Sequence, residues 1–165
     1  MNPSVKLISS KKDYLDTFYV YVDSLNEFDS FKCMNGKFFS CILLNFSPTL
    51  DSIEFTNFAN RMLKSGLVVF QSWGNDCERL HDLFDEEYCT NFERPEDTEK
   101  NVILTIWHEN ESLKEGIATS YWMCPASDYL DGYKTNLFIN LQGKSKENEI
   151  LNYLFNLELL NENEQ

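Results

Sequence analysis

The chain is poor in basic side chains: 14 Lys and Arg stand against 27 Asp and Glu, a net charge of −13 over 165 residues. That deficit argues against nucleic acid as the main partner, because phosphates must be met by Lys and Arg. Glycine and proline are also scarce, at six and four, which excludes fibrous and low-complexity classes. No apolar run approaches the ~20 residues of a membrane helix. None of signal-peptide length follows the lysines near the N-terminus. The expectation is a cytoplasmic protein with no membrane partner. Five cysteines (Cys33, Cys41, Cys77, Cys89 and Cys124) are an odd number without a CxxC pair, which fits reduced thiols better than a disulfide framework. The GxGxxG, P-loop, HExxH and GxSxG motifs are missing. The sequence therefore implies no cofactor and no metal, and it favours a non-enzymatic protein.

Apolar residues are plentiful, at 42% hydrophobic and 15% aromatic. That is too much for a disordered acidic chain and enough for one well-buried core. A single domain over 1–165 is expected, with 1–14 and 160–165 frayed. Five segments read as strands: 18–22, 38–45, 67–73, 102–107 and 136–141. The last four are continuous apolar or mixed runs, as in strands covered on both faces. Helical patterns lie between them. Over 52–65 the apolar residues Phe55, Phe58, Ala59, Met62 and Leu63 make one stripe, with Asp51 and Glu54 at its start and Gly66 as its stop. Further helices are predicted over 76–88, 112–123 (a Ser112/Glu115 capping box, with Pro125 beyond) and 146–160. This alternation predicts an α/β fold: one three-layer domain, with a mostly parallel sheet of about five strands flanked by about four helices. The Asn35-Gly36 turn signal makes the first of these strands a candidate antiparallel edge. The acidic stretch 90–101 is the expected exposed loop.

In an open α/β sheet, ligands bind beyond the carboxyl ends of the strands. Trp73 and Trp107-His108 end two of them. The segment Trp73-Gly74-Asn75-Asp76-Cys77-Glu78-Arg79-Leu80-His81-Asp82 is the sharpest local feature. Gly74 permits a tight turn, Asn75 or Asp76 can cap the helix, and Cys77 falls in its first turn, where the dipole favours a thiolate. His81 is one turn on, so Cys77, His81 and His108 are the candidates for nucleophilic chemistry. The same set, with Asp76, offers weakly spaced metal ligands. Against activation, Cys77 shares an apolar face with Leu80, Phe84 and Tyr88, and Asp76, Glu78 and Asp82 would raise its pKa. Helical spacing leaves Trp122 as an exposed aromatic anchor, and its side or that of Tyr153 could pack against a second copy of the chain.

This Trp-Gly-x-Asp-Cys-x-x-x-His-Asp segment resembles the signature of a family of small bacterial domains of unknown function. The 112–123 helix, Pro125 and the closing strand are similar to that family as well. The resemblance extends from residue 38 onward and implies no activity.

Charge is unevenly placed. Residues 76–100 hold ten acids and three bases, a net −7 and more than half of the total −13. On the second helix, Glu78, Asp82, Asp85 and Glu86 fall opposite the apolar stripe. With Trp73, Asp76, Trp107 and Trp122 they form the expected binding set for a basic protein partner, whose approach such a field accelerates. By analogy of size and charge, an immunity or defence-associated protein is the leading expectation. The alternative is a small enzyme or ligand-binding domain using Cys77, His81 and His108.

Overall fold

The apolar runs pair into one six-stranded sheet in the computed structural model, which describes residues 5–9, 15–28, 37–91 and 102–163. Its strands are β1 (Val5–Ser9), β2 (Asp16–Val22), β3 (Phe38–Asn45), β4 (Leu67–Gly74), β5 (Leu104–His108) and β6 (Tyr133–Leu141). Their order is β1-β2-β6-β3-β4-β5. All neighbours are parallel except β1 and β2.

Alternation along the strands builds two cores. On β3, Phe39, Cys41 and Leu43 join one cluster while Ile42 and Leu44 join the other. Helices α1 (Ser52–Lys64) and α2 (Cys77–Glu86) pack on the first face. Helices α3 (Leu113–Trp122) and α4 (Glu147–Asn163) pack on the second. The three-layer α/β architecture expected from the sequence is therefore the one observed. Local signals account for the ends of its helices. The Asp51 carboxylate accepts the Glu54 amide at 2.9 Å, and Ser112 with Glu115 forms a complete capping box.

Four expectations are corrected. Residues 5–9 are not frayed: they form the antiparallel edge strand, whose residues Val5 to Leu7 lie against Val20 to Phe18. The 18–22 strand is thus not itself the edge, because it is also parallel to β6. Helix α4 runs on to Asn163 rather than fraying from 160. The predicted 76–88 helix ends at Glu86 and passes into a π turn over Glu87–Asn91, where buried Glu87 accepts from Asn60 Nδ2 at 2.5 Å. The Asn35-Gly36 signal, Cys33 and the acidic stretch from 92 to 101 lie outside the described residues.

Candidate functional site

The turn from β4 into α2 is fixed by backbone contacts. Gly74 has φ +95°, and a Cβ there would sit 2.4 Å from the Asn45 carbonyl oxygen. Asn75 locks the same corner. Its backbone N–H donates to Asn45 O at 2.9 Å, and its side-chain amide donates to Ser47 O at 3.0 Å. The Asn45 amide returns a bond to Asn75 O at 2.7 Å. Asp76 stands at the N-cap position but does not cap. Its backbone is left-handed (φ 56°), and its carboxylate instead accepts from Arg79 at 3.2 Å. Arg79 also donates to Leu50 O and Ser52 Oγ.

Cys77 follows with only 7% of its surface exposed. Burial pushes its thiol above the ordinary value, and the charges of Glu109 and Glu78 push it further, against the lowering effect of nearby backbone N–H groups. His81 does not reach toward it with a hydrogen bond. Its Nδ1 is 3.1 Å from Asp82 Oδ1 and its Nε2 is 3.6 Å from Asp85 Oδ2. The imidazole rests on Trp107, with ring centroids 4.5 Å apart.

His108 belongs to the other face of the sheet. It follows Trp107 on β5, so the two side chains point to opposite sides. His108 is 3% exposed. Its Nδ1 is 3.0 Å from Glu111 Oε2 and its Nε2 is 2.9 Å from Gln71 Oε1. Ser120, on α3, donates to the same Gln71 oxygen at 3.0 Å and lies 3.4 Å from Nε2. The three candidate nucleophile and base residues are therefore split: Cys77 and His81 lie on α2, on one face of the sheet, and His108 packs against Ser120 of α3 on the other. Among the described residues, no three His, Cys, Asp or Glu side chains converge as metal ligands do.

The tryptophans divide as well. Trp73 closes the carboxyl edge on the second face. Its Nε1–H donates to Glu111 O at 2.9 Å, and its ring leaves no room for a Cβ at Gly116. Trp122 ends α3 at the amino edge, far along the helix from the capping box, and is 49% exposed. Trp107 remains at the carboxyl edge, 41% exposed beside α2.

The family described as a domain of unknown function, DUF7684, matches residues 18–156. The chain belongs to that family. A search of curated proteins found no match. The DUF7684 match begins within β2 and ends within α4, so it takes in the β4–α2 corner, both histidines and all three tryptophans, while β1 and Glu158 lie outside it. Among the described residues, no helix is long and apolar enough to cross a membrane.

Within the DUF7684 match, the surface that the β4–α2 corner presents is a row of acids. Glu78, Asp82 and Glu86 are exposed at four-residue steps, with Asp85 partly exposed beside them. Glu109, exposed on the turn after β5, adds its charge at the start of α2. Glu109, Gln71, Ser120 and Glu158 were missed as functional candidates. Gln71 could have been noticed as a polar residue inside an apolar strand. Glu158 falls on the Ile150–Leu154 stripe of α4, a four-residue step that marks it as inward-facing.

Proposed function

We propose that this is a non-enzymatic acidic binding protein of the bacterial cytoplasm. It docks a basic protein partner through α2 and Trp107, as an immunity or defence-associated component. The Trp-Gly-x-Asp-Cys-x-x-x-His-Asp segment serves as the signature of the family, because it builds the corner that aims α2. The observation that carries the reading is the surface of that helix. Glu78, Asp82 and Glu86 are exposed and Asp85 partly exposed on the helix whose His81 ring packs against the Trp107 indole, itself 41% exposed. Large exposed aromatics ringed by charge are typical anchors in protein interfaces. Arg79, on the same helix, directs its guanidinium to Asp76, Leu50 and Ser52, and no hydrogen bond joins it to Glu78, Asp82, Asp85 or Glu86 among the described residues. The buried thiol of Cys77 and the separation of His81 from His108 also favour binding over nucleophilic catalysis.

The test is affinity capture from the source cells at low and at high salt. The wild-type chain is compared with a variant carrying Glu78→Lys, Asp82→Lys, Asp85→Lys and Glu86→Lys. The expected result is one basic protein recovered by the wild type at low salt and lost both at high salt and with the folded variant. Recovery of no partner by the folded wild type, or of a partner indifferent to the charge reversal, would overturn the proposal.

A further inference from the structure

A second polar feature lies at the opposite, amino edge of the sheet and is independent of the α2 surface. A cavity of about 150 Å³ opens between the starts of β2 and β6 and the ends of α3 and α4. Glu158 lines it while being only 8% exposed. One of its carboxylate oxygens, Oε1, accepts the Tyr121 hydroxyl at 2.5 Å and the Thr17 hydroxyl at 3.2 Å. Among the described residues, no Lys, Arg or His pairs with the carboxylate, and its other oxygen has no hydrogen-bond partner. Asn136, at the cavity wall, has its own polar atoms engaged by Ser40, Tyr133 and the Tyr121 carbonyl. The outer wall is the half-exposed indole of Trp122, which stands edge-on to Tyr121 with ring centroids 4.9 Å apart. Met123 supplies an apolar side.

A carboxylate taken out of water without a cation is costly, and a charged partner offsets that cost. An aromatic face at the rim attracts a cation as well. The cavity exceeds one water's ~30 Å³ share of liquid volume, so a short alkyl chain bearing one charged head fits. We propose that this cavity binds an alkylammonium group, its head on the free oxygen of Glu158 and its chain against Trp122 and Met123. The same chemistry is carried by a free small amine and by a lysine side chain of another protein.

The experiment titrates the labelled protein with n-butylammonium, with butan-1-ol and with Nα-acetyl-lysine methylamide. The readout is the Trp122 indole N–H resonance, identified with a Trp122→Phe variant. Butylammonium should give a saturable shift that the alcohol does not reproduce. Glu158→Gln keeps an acceptor for Tyr121 and Thr17 but loses the charge. It should weaken binding about tenfold or more while the other two indole signals stay in place. If that variant does not fold, Trp122→Ala, at an exposed position and followed by titration calorimetry with butylammonium because it lacks the reporting indole, should still weaken binding about threefold relative to the wild type through the lost cation–π contact. Stronger binding of the lysine derivative than of butylammonium assigns the group to a partner protein, and the reverse assigns it to a free amine. Equal shifts with the alcohol, unchanged affinity in both variants, or no saturable shift with either amine would overturn the proposal.

Discussion

The two histidines stand at the same edge of one sheet and have opposite environments. His81 lies on α2 with its ring on Trp107 and its nitrogens facing Asp82 and Asp85, both open to solvent. His108, only 3% exposed, is shared among Glu111, Gln71 and Ser120. Water can replace any partner that His81 loses, but nothing replaces a partner inside the His108 network. The His108 network is thus a buried polar island within the second core, whereas the His81 cluster lies at the surface of the first face. His108→Ala should cost about 3 kcal/mol or more, because it opens a cavity and strips buried Gln71 and Ser120 of a neighbour. His81→Ala should cost under about 1 kcal/mol. Chemical denaturation of the two variants measures the gap, and equal losses would erase the distinction.

A smaller change sharpens the same contrast. Ser120→Ala removes the hydroxyl that donates to Gln71 Oε1 at 3.0 Å, a bond with both residues buried. Its expected cost is about 1–2 kcal/mol. Asp82→Ala removes the carboxylate 3.1 Å from His81 Nδ1, on a side chain 73% exposed, and its expected cost is within about 0.5 kcal/mol. A loss at Asp82 as large as that at Ser120 would mean that the His81 cluster is also structural.

The thiols carry the comparison into pH. Cys41 is fully buried, and burial alone drives its thiol far above the ordinary value of 9.0. Cys77 is shifted in the same direction, whereas Cys89 and Cys124 are exposed. Above about pH 9, unfolded thiols ionise while the folded Cys41 keeps its proton, so the unfolded state binds fewer protons and stability falls as pH rises. Below that range the thiols contribute no slope. Each fully shifted thiol adds up to about 1.4 kcal/mol per pH unit. Denaturation at stepped alkaline pH should therefore show a steeper decline in the wild type than in Cys41→Ala. At neutral pH, iodoacetamide should modify Cys89 and Cys124 well before Cys77. Rapid modification of Cys77 in the folded chain would restore the case for a reactive nucleophile.

What the sequence made legible follows from which interactions are local. The apolar stripe of α1, the Asp51 cap, the Ser112–Glu115 box and the Gly66 stop all act within a few residues, and each appears in the structure. Strand β1 was missed because Val5, Leu7 and Ile8 are interrupted by Lys6 and stabilised mainly by pairing with β2, a contact across the sheet. The β4–α2 corner was visible in Gly74, but the non-capping turn at Asp76 depends on Arg79 and the distant Leu50 and Ser52. Which face of the sheet His108 takes depends on where β5 begins and ends. The predicted strand over 102–107 stopped one residue short of the position that decides it.

The smallest predicted effect bears most directly on why α2 is acidic. Its last turn holds no basic residue, and Glu86 stands where the helix dipole is negative and where Asp82 is four residues behind. Both interactions disfavour a carboxylate there. Glu86→Gln should accordingly raise stability by about 0.3–0.5 kcal/mol at low salt, with the gain fading at high salt as the charges are screened. Glu78, in the first turn, sits at the favourable end of the same dipole, so Glu78→Gln should produce no such gain. Paired denaturation curves at two salt concentrations measure both. A gain at Glu86 alone shows an acid kept where the helix opposes it, which is the pattern expected of a residue held for binding rather than for folding. No gain at Glu86 would leave the acidic row without a stability cost, and a purely solubilising role would then explain it equally well.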